Sequence, residues 1–344
     1  MKIMKTAGES FATGPLQRGC ELCIEGRKLV LFVTGLCNQD CYYCSISEGR
    51  WQKDEVWANE RLVEKPEDII EEAKLCGAKG AGITGGEPMM RIVRVCEYIR
   101  LLKEKFGKGF QIHMYTNGTL ATDENLRKLN EAGLDELRIH LDKTAVERAL
   151  KFPWKVGMEV PCIPGKEKEL CGLVDYLDSI GAHFLNLNEL EFSERNIEPI
   201  QKLGLALKSD SLTAVRGSDR IAMAVLKHAL GKRLPVHFCT ARLKLNYQLR
   251  NRLTNRANNI KKPFETVSKD GFLLKGTMAG SKEETEKEMK RLDVKEFSYN
   301  EGRGRMEFSE KIANQIAKRT KIKVAIAEEY PTANPWDFEL TPLN

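Results

Sequence analysis

Short aliphatic runs alternate along this chain with longer stretches in which apolar residues fall on one helical face. The first run, residues 29–33, is closed by Thr34-Gly35 and reads as a buried strand. From residue 66 the alternation becomes regular. Residues 66–76 predict an amphipathic helix with Pro66 at its start and Gly77 at its stop. A strand follows at 80–84, a helix at 92–106, and a strand at 111–116 that ends in the turn-forming pair Asn117-Gly118. The same reading gives a helix at 123–132, a strand at 136–141, a short helix at 144–150 and a strand at 156–163. A helix at 167–180 and a strand at 183–190 follow, and with the first strand this makes six strand–helix units. A further helix at 217–230 leads into Pro235-Val236-His237-Phe238-Cys239. Such alternation predicts βα units and a parallel sheet, whose chemistry collects at the carboxyl ends of the strands.

The pattern changes after Pro263. Strands at 266–276, 294–299, 305–308 and 321–328, with helices at 282–292 and 309–319, give the order βαββαβ, and Ser309 is placed to cap the second helix. That order is the ferredoxin-like arrangement, a small α+β domain. It serves RNA binding, small-molecule sensing and docking alike. Between the two patterns lies the most basic segment, with Arg242, Lys244, Arg250, Arg252, Arg256, Lys261 and Lys262. Leu245, Leu249 and Leu253 recur every fourth residue and predict one helix with an apolar stripe. Its cations read either as a phosphate-binding face or as an ordinary solvated one.

Composition narrows the class. The 344 residues are 42% hydrophobic, enough for a large core, and no apolar run is long enough to cross a membrane. Residues 1–5 lack the apolar stretch of a signal peptide, so a cytoplasmic, reducing setting is expected. Ten cysteines in such a setting point to metal ligands rather than disulfides. The net charge of +6 permits a polyanionic partner without requiring one.

The chemistry concentrates directly after the first strand, in Cys37, Cys41 and Cys44, spaced C-x3-C-x2-C. Three thiols this close do not pair off. Soft sulfur ligands suit zinc or iron–sulfur clusters, and three ligands leave one metal position open. This loop, with Tyr43 just before its third cysteine, resembles the signature of radical S-adenosylmethionine (radical SAM) enzymes. Residues 81–88, Ala-Gly-Ile-Thr-Gly-Gly-Glu-Pro, resemble that family's second motif at the end of the second strand. A structural zinc knuckle explains the cysteines alone, but not both motifs in order. The likeness spans roughly residues 28–240 and implies a partial (β/α)6 barrel.

What the resemblance implies is specific. Cys37, Cys41 and Cys44 would bind three irons of a 4Fe–4S cluster, and the amino and carboxylate groups of SAM would chelate the fourth. Tyr43 would lie near the adenine, and Gly85, Gly86, Glu87 and Pro88 near the SAM amino group. The reduced cluster would cleave SAM to methionine and a 5′-deoxyadenosyl radical, with electrons from a ferredoxin- or flavodoxin-type donor. Other strand ends offer Thr116 and Asn117, His140 and Asp142, Cys162, Asn186, Asn188 and Glu189. Of these, Asn117, Asn186, Asn188 and Glu189 are the expected cofactor or substrate contacts. Asn186 and Asn188 share one strand face, and their burial calls for a partner, either a ligand or a water network.

A second donor set is suggested by spacing alone. Cys20 and Cys23 form a C-x2-C knuckle, and His237 and Cys239 alternate on one face of the strand near residue 236. Brought together they would make a closed Cys3His site for zinc or a second iron–sulfur cluster; the alternative is unpaired buried thiols. Cys76, Cys96 and Cys171 fall on apolar helix faces and read as core. The stretch 45–61, with Trp51 and Trp57, reads either as part of the active site or as surface loop. The expected organisation is an extension over 1–27, the barrel over 28–240, a basic linker over 241–262 and the ferredoxin-like domain over 263–344. The basic segment and the tail favour an RNA substrate such as tRNA. The alternative is an activating enzyme or radical modifier of a partner protein or peptide, and the contrasting class is a zinc-containing RNA-binding protein without redox activity.

Overall fold

Hydrogen bonding carries the first two thirds of the chain into one eleven-stranded sheet in a computed structural model, which describes residues 2–140 and 142–344. Leu141, the last residue of the strand predicted at 136–141, lies outside the described residues. Contacts divide the chain into two units. One holds the residues up to Lys74 with Ala78–Leu249, the other Leu75–Gly77 with Arg250–Asn344.

The first unit opens with a small hairpin, β1 (Met4–Lys5) and β2 (Phe11–Ala12), followed by α1 (Arg18–Ile24) and β3 (Lys28–Phe32). After the cysteine loop come β4 (Trp57–Ala58), β5 (Arg61–Leu62), α2 (Pro66–Leu75), β6 (Gly80–Thr84) and α3 (Ile92–Phe106). The alternation continues through β7 (Gln111–Thr116), α4 (Asp123–Ala132), β8 (Glu136–Ile139) and α5 (Lys143–Ala149). It ends with β9 (Lys155–Cys162), α6 (Glu167–Ser179), β10 (Phe184–Glu189), α7 (Ile197–Lys202), α8 (Ser218–His228), β11 (Val236–Cys239) and α9 (Ala241–Leu243).

The sheet runs β1-β2-β11-β10-β9-β8-β7-β6-β3-β4-β5. From β3 to β11 every neighbouring pair is parallel, while β1–β2 and β4–β5 are antiparallel ribbons at the two edges. These edges do not pair with each other, so the barrel is partial, and β11 adds a seventh parallel strand to the six expected. The outward faces of the strands carry Ile83, Met114, Leu137, Met158 and Leu187, all fully buried beneath the helices. Local signals bound those helices: Thr122 caps α4 through the Asn125 N–H, and Gly133 ends it at φ 96°.

α1 replaces the expected knuckle. It is a helix lying against the inner faces of β6 and β7: a Cβ on Gly19 would stand 2.6 Å from His113 Nδ1, and one on Gly80 would stand 2.7 Å from Leu22 Cδ1. The close approach explains why glycine occupies both positions.

The second unit holds α10 (Arg250–Ile260), β12 (Thr266–Val267), β13 (Leu273–Ala279), α11 (Lys282–Arg291) and β14 (Phe297–Asn300). It continues with β15 (Arg305–Phe308), α12 (Glu310–Ala317), β16 (Val324–Glu329) and β17 (Asp337–Pro342). Its sheet order, β14-β15-β13-β16-β17, is antiparallel throughout, with the ferredoxin-like order in its first four strands. Two details differ from the sequence reading. A turn at Gly271 (φ 89°) splits the strand predicted at 266–276 into the β12–β13 hairpin, and β17 extends the edge. Met278, Met289, Met306, Phe308 and Val324 form the core on one sheet face. The other face buries an ionic network in which Lys275 meets Glu265 at 2.6 Å and Glu329 at 2.8 Å.

The basic segment is not one helix. α9 gives way to a π-helical turn at Lys244–Leu249 before α10 begins, so Leu245 is half exposed while Leu253 is buried. The extra residue per π turn rotates the stripe out of register. The cations divide between paired surface positions and buried ones. Arg242 pairs with Glu9 at 2.7 Å, Lys244 with Glu191, and Lys262 with Glu307 at 3.2 Å. Arg252 and Arg256 are buried, and Arg256 donates to the Pro331 carbonyl at 2.5 Å. Part of the segment is solvated, with Arg242 and Lys261 exposed, and part is not, with Arg252 and Arg256 buried. Among the described residues no helix is long and apolar enough to cross a membrane.

Candidate active site

Cys37, Cys41 and Cys44 lie on the loop that leaves the carboxyl end of β3, all three unpaired and half-buried. Backbone bonds lock this loop to the Gly85-Gly86-Glu87-Pro88 loop at the end of β6. The Gly86 N–H donates to Thr34 O at 2.8 Å and the Glu87 N–H to Leu36 O at 2.7 Å. A Cβ on Gly85 would stand 2.3 Å from Thr34 O, and one on Gly86 would stand 2.2 Å from Leu36 O. The two motifs are one structure, and the glycines are what let the backbones meet.

Within the stretch 45–61, Gln52, Lys53 and Asp54 join the same assembly, while Trp57 and Arg61 lie on β4 and β5. The Gly35 N–H donates to Lys53 O at 2.7 Å, and Gln52 both donates to Cys37 O at 3.0 Å and accepts from the Cys37 N–H. Thr34 Oγ1 donates to Asp54 at 2.8 Å, and Arg91 and Arg94 hold Asp54 at 2.8 and 2.6 Å. Those bonds, led by that from Arg94, keep the Asp54 carboxyl well below its ordinary range.

The strand ends supply the rest. Glu87 is fully buried and spends its oxygens within the protein: Oε1 accepts from the Met89 N–H (3.0 Å) and Thr116 Oγ1 (2.8 Å), and Oε2 from the Asn117 N–H (2.7 Å). Pro88, also buried, begins the short turn that follows. Asn117 donates to Asn38 of the cysteine loop at 2.7 Å. Tyr43 meets His140 Nε2 at 2.7 Å, while His140 Nδ1 stands 2.9 Å from the Glu159 carbonyl. A carbonyl only accepts, so Nδ1 carries the proton. Burial keeps the ring from gaining a second one, and Nε2 therefore accepts from the Tyr43 hydroxyl. Asp142 caps α5 through the Ala145 N–H at 3.1 Å, and Cys162 is buried on the outer face.

The pleat separates residues that the sequence groups together. Asn186 and Asn188 face the barrel interior, where they donate to Glu159 at 3.0 and 2.9 Å. Their partner is thus a carboxylate on the neighbouring strand, to which Arg138 also donates at 2.9 Å. Burial raises the Glu159 pKa, but Arg138 and the two amides outweigh it and bring it to about 2. Glu189 points the opposite way. It accepts from the Ala241 N–H at 2.9 Å and lines a separate cavity of about 920 Å3 that no cysteine reaches.

Cys20, Cys23, His237 and Cys239 all line one interior cavity of about 380 Å3, together with Lys28, Arg138, Glu159, Asn186 and Asn188, and its wall includes Ser45 beside Cys44. Register puts them there: His237 pairs with Asn186 and Cys239 with Asn188 across β10 and β11. Burial brings the His237 pKa down to about 4 and pushes the Cys20 and Cys239 thiols up. Among the described residues no three His, Cys, Asp or Glu side chains are gathered closely enough to share one metal ion. Cys76 and Cys96 are core residues as expected, and Cys171 is half-buried.

Several site residues escaped the sequence reading. Arg195 covers the cysteine loop, paired with Asp40 and with its guanidinium 3.7 Å from the centre of the Trp51 ring. Asn196 Nδ2 donates to Tyr43 O at 3.1 Å. Arg138 and Glu159 organise the interior. On a predicted strand each reads as an ordinary charged residue, and only register shows that they meet.

A half-buried three-thiol loop, bonded to a Gly-Gly-Glu-Pro loop at the mouth of a partial parallel barrel, defines an iron–sulfur, SAM-dependent radical enzyme. A family model described as "Radical SAM superfamily" matches residues 31–157, and "Domain of unknown function (DUF8061)" matches 271–343. "Putative glycyl-radical enzyme activating enzyme MJ0021" of Methanocaldococcus jannaschii is 40% identical over 365 residues, covering 99% of this chain and 96% of that protein. "GTP 3',8-cyclase" of Lactiplantibacillus plantarum is 35% identical over 124 residues, 36% of this chain and 35% of that one. Among solved structures, Streptococcus suis SuiB bound to S-adenosylmethionine gives a TM-score of 0.44 at 12% identity. The match covers 62% of this chain and only 50% of that one. The chain belongs to the radical SAM superfamily. It is a SAM-dependent radical enzyme, and that membership brings a 4Fe–4S cluster and SAM.

Proposed function

We propose that this enzyme acts on a polypeptide, abstracting hydrogen from a partner protein in the manner of a glycyl-radical enzyme activating enzyme. The observation that carries this reading is the 40% identity to the Methanocaldococcus jannaschii protein over 99% of this chain, which takes in both units.

In this reading Cys37, Cys41 and Cys44 each hold one iron. When bound, cluster and SAM supply reductive cleavage of SAM and hydrogen abstraction from carbon, with electrons from a ferredoxin- or flavodoxin-type donor. The N–H groups of Gly86 and Glu87 are taken by the cysteine loop, so that turn offers carbonyl oxygens, which suit the SAM amino group. Glu87 positions the turn rather than touching ligand. His140 aims Tyr43, and Glu159 holds the amide nitrogens of Asn186 and Asn188 so that their oxygens are the groups offered to a ligand.

Anaerobic protein with dithionite should release 5′-deoxyadenosine from SAM, and Cys41→Ala should abolish release. Incubation with a protein fraction labelled with α-deuterated glycine should then place deuterium in the 5′-deoxyadenosine. Deuterium acquired only from an RNA fraction would sink the polypeptide reading, and an iron-free protein inert to SAM would sink the radical one.

A further inference from the structure

The cysteine loop leaves a second set of soft donors unused. Cys20 and Cys23, three residues apart, share one face of α1, and His237 and Cys239 share the inner face of β11. All four line the same interior cavity of about 380 Å3. His237 supplies an independent observation. It is only 6% exposed, and neither ring nitrogen has a hydrogen-bond partner. The other four histidines each have one: His113 with Gln111, His140 with Tyr43, His183 with the Val156 N–H and His228 with Asp175. A buried imidazole facing a cavity with both nitrogens unmatched costs free energy unless something in that cavity matches it.

Hydrogen-bond donors and cations stand around these sulfurs. Arg138 Nη2 and Asn186 Nδ2 lie 3.4 and 3.6 Å from Cys20 Sγ as donors, and Lys28 and Lys244 line the same cavity. Three sulfurs and an imidazole exclude hard cations such as magnesium or calcium and match zinc or iron. We propose that Cys20, Cys23, Cys239 and His237 hold a second, thiolate-bound metal centre inside the barrel, distinct from the cluster on Cys37, Cys41 and Cys44. The donors line the cavity without converging on one point, so binding takes either side-chain rotation or a centre of more than one metal atom. Because its ligands come from α1 and β11, the centre pins the first and last inward-facing elements of the barrel together. It shares the cavity that includes Ser45, next to Cys44.

The test is metal and sulfide content of the anaerobic full-length protein, wild type beside two variants. Cys37→Ala/Cys41→Ala/Cys44→Ala should lose about four irons and keep the second metal, whereas Cys20→Ala/Cys23→Ala should do the reverse. Retained zinc identifies a mononuclear centre, and retained iron with matching sulfide identifies a cluster; either upholds the proposal. To guard against misfolding, the triple variant is stripped and titrated with cobalt(II). A thiolate-to-cobalt charge-transfer band should appear, disappear with Cys239→Ser and weaken with His237→Gln. No band, or wild-type metal content in the Cys20/Cys23 variant, overturns the proposal. Failure of the SAM-cluster reading would show separately, as a triple variant that loses no iron.

Discussion

Gly86 carries the closest approach between the two motifs. A methyl group there would stand 2.2 Å from Leu36 O, so Gly86→Ala must push the cysteine loop away. Overpacking of this kind costs about 1–3 kcal/mol. The strain falls on the loop that holds the thiols, so iron per chain and SAM cleavage should drop sharply while circular dichroism stays unchanged. Full iron content would refute this account. Glu159 acts through charge. Its folded pKa of about 2 lies below the ordinary glutamate value, so it stabilises the fold above about pH 4.5, and that stability is lost as pH falls through about 2. The shift is worth roughly 3 kcal/mol. Urea unfolding from pH 7 to pH 2 should show a steep acid limb in the wild type and a flatter one in Glu159→Gln. The variant should also be weaker at pH 7, by about 3–5 kcal/mol, because it leaves Arg138 short of a carboxylate. Parallel acid limbs would show that Glu159 does not carry the effect.

At the scale of elements, the regular βα alternation was legible because each unit carries its own period and its own punctuation, such as Thr122 and Gly133 around α4. Legibility ended where an element's role depends on what lies across from it. Cys20 and Cys23 read as a C-x2-C knuckle in a turn, and the structure places both on helix α1, seated on β6 and β7 through Gly19 and Gly80. Gly19→Val would press on His113 and Arg138 and lift this helix. Cys20 and Cys23, now 7% and 8% exposed, should then react with a thiol reagent in the native protein much faster than in the wild type. Unchanged reactivity would mean that α1 is not held by that contact. The basic segment failed for a related reason: a π turn is a one-residue irregularity with no sequence mark, and it scrambles a four-residue stripe.

For the whole molecule, the net charge of +6 says less than its placement. Arg242, Lys244 and Lys262 are paired to carboxylates and Arg252 and Arg256 are buried, which weakens the pull of this segment on a polyanion although Arg242 and Lys261 remain exposed. Filter binding should accordingly show weak tRNA retention that vanishes by physiological salt; tight binding with a steep salt dependence would restore RNA as the substrate.

By itself the sequence determined the cysteine loop, the Gly-Gly-Glu-Pro loop and the parallel sheet between and beyond them. These depend on neighbours within a few residues, and backbone preference acts at that range. Only the tertiary structure decided how the interior is wired. Glu159, Asn186 and His237 sit in one row because β9, β10 and β11 pair in that register, and α1 brings Cys20 to the same place from far along the chain. A polar residue on a strand looks the same in sequence whether it faces water, a ligand or another charge. Strand register chooses among them, and it is set by packing across the whole barrel.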